Sequence, residues 1–397
     1  MTNRIYLDHA ATTPLDPRVR TAMELWQKEL GNPNSIHAEG QRIRGAIDES
    51  RRTVAHIFER DEKQVVFIPS ATAANNLILE GVIKRFKRLY THVTPEIIIS
   101  PLEHASVYEV ARRLEREQEI VLTILSIDEQ GRISPKELRE KISPRTALVS
   151  IQWVNNETGI IQPVKEIIEI LREYRTTSES AYPFFHTDAV QGIGHGPHQD
   201  LLGIDYITLS AHKIYGPTGI GVLLIPQEPL LEPIIYGGGQ ENGWWSGTES
   251  VDRIVGCAHA LSYVIEEQKD QFKNLLELYT YAKEVLQTRI PQVSFYGDDK
   301  FISPHILSFR IPGVLRPDIA LDLAGIAVSS GAACSQQSVA PSRVLQVLGA
   351  SVISAQESIR VSFGKQTTKK DIDQLIDRII IIQERSTTYV GGPDKNT

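Results

Sequence analysis

The chain has 397 residues, of which 41% are hydrophobic and 23% charged, and a formal net charge of -7. That length carries a sizeable core and two structural lobes, and the composition is that of an ordered globular protein rather than a disordered one. The negative balance without a Lys/Arg cluster argues against nucleic-acid binding, and no segment reaches the ~20 uninterrupted apolar residues of a membrane span.

The first eight residues, Met1 to Asp8, contain no apolar signal-peptide core, so a cytoplasmic location is expected. Ile43, Ala46, Ile47, Ser50, Val54, Ile57 and Phe58 keep helical spacing and form one buried face. Residues 65–68 form an apolar strand that runs through a turn into a helix over 71–85. A second strand (97–99) precedes a helix near 107–117, and a third (147–151) ends in the polar loop 155–159 before a helix over 164–174. Two further apolar runs lead to Asp188 and to Ser210. Short apolar strands alternating with helices predict an α/β architecture with a largely parallel sheet. Beyond about residue 255 the pattern changes to one long helix over 255–289, a strand over 304–310, short elements and a last helix striped by Ile372, Leu375, Ile376, Ile379 and Ile380. The expected division is a large domain over 1–255, a smaller α+β domain over 256–390 and a frayed tail over 391–397. The first fifteen or so residues are free to pack on the smaller domain.

Chemistry concentrates at predicted strand ends, where α/β proteins bind ligands. Ser210-Ala211-His212-Lys213-Ile214-Tyr215-Gly216-Pro217 places a lysine on a sharp turn, and the preceding strand ends in His186-Thr187-Asp188-Ala189-Val190-Gln191. A lysine for the aldehyde and an aspartate for the ring nitrogen are what pyridoxal phosphate requires. Ser70-Ala71-Thr72-Ala73 offers free backbone N–H groups and hydroxyls at a helix start, a phosphate site in that company and an ordinary helix cap without it. His104 follows another strand and is placed to lie over a cofactor ring. Asn155 and Gln191 stand just beyond strand ends, where their amides either meet a ring oxygen or brace a loop. The two cysteines make neither a disulfide framework nor a zinc cage. Cys257 has apolar neighbours and reads as structural, whereas Cys334 sits among small polar residues and is the candidate nucleophile.

Five segments together resemble the cysteine desulfurases of the NifS/IscS group, enzymes of the class V aminotransferase fold. They are Tyr6-Leu7-Asp8-His9-Ala10-Ala11-Thr12-Thr13-Pro14, Gly31-Asn32-Pro33-Asn34-Ser35, Val154-Asn155-Asn156-Glu157, Ser210 to Gly221, and Ser329 to Cys334. The resemblance implies a pyridoxal-phosphate-dependent transferase of fold type I: a large, mainly parallel, seven-stranded type of sheet and a smaller C-terminal α+β domain carrying the cysteine loop. It implies that Lys213 carries the cofactor and shuttles the substrate Cα proton, that Asp188 pairs with the ring nitrogen, and that His104 stacks on the ring. Ala71, Thr72, Ser210 and His212 are implied at the phosphate, Asn155 and Gln191 at the ring edge, and Thr248 at the phosphate of a second subunit, hence a homodimer. Arg360, helped by Asn34 and Asn155, is implied to grip the carboxylate of L-cysteine. Cys334 is implied to take the sulfur as a persulfide, to release alanine, and to pass sulfur to an iron–sulfur scaffold or tRNA-thiolation protein, serving in transit as an iron–sulfur ligand. The spacing from Cys334 to Pro341-Ser342 resembles the group with a long catalytic loop.

This chain departs from the pattern in places. Relatives carry arginines where it has Asn242 and Trp245, a glutamate where it has Ala73, often a basic stretch where it reads Pro226 to Glu232, and a longer C-terminal tail. Another class V aminotransferase, a selenocysteine lyase, and a low-activity sulfur-relay subunit are the competing readings. The first has no use for a thiol at Cys334, and the last is at odds with an intact Lys, Asp, His, Cys and Arg set.

Overall fold

The computed structural model describes residues 4–290, 292–330 and 341–390, with side chains through 385. Seven strands form the central sheet, in the spatial order Val65–Ile68, Gly221–Leu224, Tyr206–Ser210, Phe184–Asp188, Thr146–Ser150, Glu96–Ile99, Val121–Ile124. Only Gly221–Leu224 runs against its two neighbours, and every other pairing is parallel. The fold is thus mixed α/β with a mostly parallel sheet, as the alternation of strand and helix predicts.

Strand side chains alternate between faces with a period of two, and the core divides accordingly. Val65, Phe67, Val149, Phe185, Ile207 and Val222 pack into one apolar cluster with Ile43, Ile47, Val54, Ile254 and Leu261 from the helices Ala38–Ile57 and Val251–Glu266. Val66, Ile68, Leu148, Phe184, Tyr206 and Leu223 pack into the other with Leu77, Ile78, Val82 and Phe86 of Ala71–Leu89 and Val107 and Leu114 of Ala105–Arg116. A third cluster joins Leu7, Phe309, Ile359, Val361, Ile372, Leu375, Ile376 and Ile379. It lies on the antiparallel sheet of Ser294–Phe295, Ile306–Arg310 and Ser358–Ser362. The N-terminal strand Ile5–Tyr6 pairs with Ile326–Ala327, and the Ser362 N–H donates to Leu7 O (2.8 Å), so the chain begins on this later sheet.

Two expectations need correcting. The single helix expected over 255–289 is two, Val251–Glu266 and Gln268–Arg289, separated by Glu267. No Gly or Pro marks the break. Glu267 instead pairs with Arg18 (2.6 Å) and Lys365 (2.5 Å), while the helices on either side serve different cores. The buried face of Ala38–Ile57 also includes Arg51, which no apolar period reports. Its guanidinium forms a bidentate pair with buried Glu241 (both 2.8 Å), and Glu241 also accepts the Phe67 N–H (2.8 Å).

Candidate active site

Parallel strands deliver their C-terminal ends to one edge of the sheet. In register, Asp188 stands beside Thr208, and Tyr206–Ser210 continues directly into the short 3-10 turn Ala211–Lys213. At the same edge Val65–Ile68 passes through Pro69 to Ser70, the N-cap of Ala71–Leu89, whose hydroxyl accepts the Ala73 N–H (3.1 Å). Glu96–Ile99 leads there to His104, the N-cap of Ala105–Arg116. Gly221 opens the antiparallel strand at this edge. A Cβ there would lie 2.5 Å from Leu209 O and 3.5 Å from the Ala71 nitrogen, so a glycine keeps the backbones in contact beside the helix start.

A cavity of about 510 Å³ opens at this edge and is lined by Ser70, Ala71, Thr72, His104, Asp188, Gln191, Ser210, His212, Lys213 and Arg360. Nine of the sequence-predicted site residues and the cap Ser70 therefore share one space. Lys213 Nζ donates to the carbonyls of Ala10 and Ala11, both at 2.6 Å. Gln191 donates to the same Ala10 carbonyl (2.8 Å) and accepts from His305 Nε2 (3.2 Å). His212 Nδ1 lies 3.1 Å from the Thr12 hydroxyl, and burial together with the Lys213 charge pushes its imidazole down to about 4. His212 is accordingly neutral at pH 7.

Asp188 is held by buried Asn75, whose amide donates to its Oδ2 (2.9 Å), and by the Val190 N–H (3.1 Å). The same Asn75 amide donates to Ser106 Oγ (2.8 Å), and Ser106 Oγ lies 2.8 Å from His104 Nδ1, which also accepts the Ser106 N–H (3.2 Å). A continuous hydrogen-bonded chain thus links the aspartate to the imidazole across three elements. Glu103 beneath it is completely buried, with one oxygen accepting the Gln152 N–H (2.9 Å) and the other without a partner. Burial first, and then the charge of Asp188, hold its carboxyl well above the ordinary range.

Arg360, in Ser358–Ser362, donates to Asp8 Oδ1 (2.7 Å) and to the Asn156 carbonyl (2.8 Å). Among the described residues its buried Nε has no partner, nor has the hydroxyl of Ser329, which pairs with it through the backbone. Unpaired buried donors are costly, and a guanidinium lining a cavity suits an anion there.

Other predicted residues lie elsewhere. Asn155 is wholly buried and engaged in its loop: its amide donates to Leu102 O (3.0 Å) and its oxygen accepts the Glu157 N–H, the Thr158 N–H and the Thr158 hydroxyl. Its neighbours Val154 and Asn156 line the cavity instead. Asn34 is exposed, accepts from Arg44 (2.9 Å), and lines a separate polar cavity with Arg51 and Glu241. Thr248 is exposed and does not line the main cavity of its own chain. Trp244 and Trp245 are half-buried against the second core cluster, as are Leu230 and Ile234. Cys334 lies outside the described residues. Cys257 is buried in Val251–Glu266, and burial pushes its thiol up to about 12, which keeps it protonated.

Sequence reading missed Ala10, Ala11, Asn75, Ser106 and Gln152. Ala10 and Ala11 contribute backbone carbonyls, which no side-chain pattern reports. Asn75 carried a signal, because an amide at a helical position among apolar residues invites a buried partner.

A class V aminotransferase family model matches residues 5–375, and the chain belongs to that family. Cysteine desulfurase IscS of Dictyoglomus turgidum is 37% identical over 98% of this chain and 96% of its own length. The mitochondrial cysteine desulfurase of Eremothecium gossypii is 36% identical over 100% of this chain and 81% of its own. Among solved structures, a NifS-like protein superposes with a TM-score of 0.87 at 30% identity, covering 96% of this chain and all of that one. A structure described as SspA in complex with cysteine gives 0.74 at 29% identity, over 90% and 98% of the two chains.

Proposed function

We propose that this protein is a pyridoxal-phosphate-dependent cysteine desulfurase that converts L-cysteine to L-alanine and a persulfide on Cys334. One observation carries the reading: Lys213, the held carboxylate of Asp188, the N-terminus of Ala71–Leu89 and Arg360, contributed by separate segments of the chain, all line one cavity. The relatives' names, cysteine desulfurase in each curated case, give the direction of the chemistry.

The residues present fit the cofactor. The N-terminus of Ala71–Leu89, with Thr72, Ser210 and His212, suits its phosphate, because backbone N–H groups and a helix dipole favour an anion there. Asp188 suits the ring nitrogen, and its bond from Asn75 leaves it an acceptor able to hold that nitrogen's proton. When bound, pyridoxal phosphate supplies an electron sink for the substrate Cα. Lys213 takes the Cα proton and returns one, and the Ala10 and Ala11 carbonyls hold its amine at the mouth of the site. Arg360 grips the substrate carboxylate, exchanging a contact for it or using its unpaired Nε. The Cys334 thiolate then attacks the substrate sulfur. The carbon–sulfur bond breaks with its electron pair left on carbon, which takes up a proton to give alanine. The two sulfurs end joined as a persulfide, so carbon is reduced and sulfur oxidised by the same two electrons.

The reading extends to a homodimer in which Thr248 serves the neighbouring site, to a sulfur acceptor such as an iron–sulfur scaffold or tRNA-thiolation protein, and to a domain boundary near residue 255. A cytoplasmic location belongs with it; among the described residues no helix is long and apolar enough to cross a membrane. The test is incubation with L-cysteine and a reductant, measuring sulfide and alanine together. Equal yields of both are expected, and alanine absent from a protein saturated with cofactor refutes the reading.

A further inference from the structure

We infer that Arg343 is a positioning residue for the turn that carries His104. Its guanidinium sits 3.9 Å from the centre of the Tyr108 ring. From that platform Nη1 donates to the carbonyl of Pro101 and Nη2 to the carbonyl of Glu103 (2.5 Å). Both acceptors belong to the short connection between Glu96–Ile99 and the helix capped by His104.

The need for this brace follows from what the connection contains. Glu103 is fully buried, burial holds its carboxyl well above the ordinary range, and among the described residues one of its two oxygens has no partner. Its other oxygen accepts the Gln152 N–H (2.9 Å), and the next residue, His104, lines the cavity. Two donors of one planar guanidinium on the carbonyls of residues 101 and 103 fix the turn from outside. Lysine lacks that fork, so the pair of contacts is specific to arginine.

The brace comes from far along the chain. Arg343 opens the helix Arg343–Val347, nine residues after Cys334 in sequence. The preceding residue makes a second clasp on the same side of the site. Buried Ser342 caps that helix, accepting the Leu345 N–H (3.1 Å), while its hydroxyl donates to Glu157 Oε2. Burial raises the Glu157 carboxyl, and the Ser342 hydrogen bond and then the charges of Arg360 and Arg343 oppose that rise. Ser342 and Arg343 thus join the start of this helix to two loops of the central sheet, one bearing His104 and the other Asn156, whose carbonyl holds Arg360.

The inference rests on the proposed reading of His104 as the residue over the cofactor ring, and its test separates the two. Arg343→Ala, Arg343→Lys and Tyr108→Leu are made in the full chain, and amide exchange over residues 101–106 is followed with and without cofactor. Arg343→Ala is expected to speed that exchange at least about tenfold. It is also expected to weaken cofactor binding several-fold and to lower kcat for alanine release while leaving KM for L-cysteine near its parent value, since Arg360 is untouched. Arg343→Lys and Tyr108→Leu are expected to fall between parent and Arg343→Ala. Exchange at 101–106 unchanged from parent in all three variants, with protection lost only over 343–347, overturns the inference and leaves Arg343 as glue for its own helix. If Arg343→Ala does not fold, the Lys and Leu variants decide by the same criterion. A parent protein that releases no alanine refutes the desulfurase reading, while the exchange measurement still decides the role of Arg343.

Discussion

His195 and His305 stack face to face behind the cavity, with ring centres 3.8 Å apart and planes at 12°. Both are buried, and His305 bonds Ser303 (2.8 Å) and Gln191 (3.2 Å), whereas among the described residues His195 Nδ1 has no partner. Burial, with smaller contributions from His9 and Lys365, pushes His195 down to about 3, far below the 6.5 of a free imidazole. The sign follows from proton binding. Below pH 6.5 the unfolded chain protonates this histidine while the folded protein does not, so stability is fully present above 6.5 and is lost as pH falls towards 3. At about 1.4 kcal/mol for each pH unit through the window, this one residue costs about 2 kcal/mol between pH 7 and pH 5. His9, pushed to about 4 by burial, acts in the same direction with nearly the same size over that interval. Glu103, Glu157 and Asp205, all raised by burial, act in the opposite direction. Replacing His195 with Gln leaves those groups in place and removes one proton-binding site from the unfolded state. Urea unfolding of parent and His195→Gln at pH 7 and pH 5 is the assay. The variant is expected to lose about 2 kcal/mol less than the parent on acidification, whatever its stability at pH 7. Equal losses would show that His195 is protonated in the folded protein and refute the argument.

Four further outcomes test the site and its supports. Lys213→Ala is expected to lose the visible absorbance of the bound cofactor and any borohydride-reducible adduct, and an adduct that persists would place the attachment on another lysine. Cys334→Ser is expected to keep cofactor binding but to form neither persulfide nor alanine, whereas Cys257→Ser loses only stability; reversed phenotypes would overturn the assignment of the thiols. Glu241→Ala leaves the buried Arg51 guanidinium unpaired and is expected to cost about 3–5 kcal/mol in denaturant unfolding, with a change below 1 kcal/mol counting against a structural pair. Trp245→Arg removes half-buried aromatic packing from the second core cluster and is expected to cost about 1–3 kcal/mol; tighter cofactor binding at unchanged stability would favour an electrostatic role for the position instead.

The sequence by itself determined the alternation of strands and helices, and with it the edge of the sheet to which Asp188, Lys213, Ser70 and His104 are delivered. Periods of two and 3.6 residues are local properties, and a parallel strand commits its C-terminal end to one side before any contact forms. Tertiary structure decided what those side chains touch. Lys213 meets carbonyls more than 200 positions away, at Ala10 and Ala11, and Asp188 depends on Asn75, 113 positions earlier. The break at Glu267, the burial of Arg51 and the withdrawal of Asn155 into its own loop share this origin. Each is a polar group whose place is set by particular donors and acceptors, and hydrophobic periodicity records where apolar groups go but not which donor meets which acceptor. Arg343 shows the difference most sharply, because an arginine on a five-residue helix reads as solvated until the fold brings the carbonyls of residues 101 and 103 beneath it.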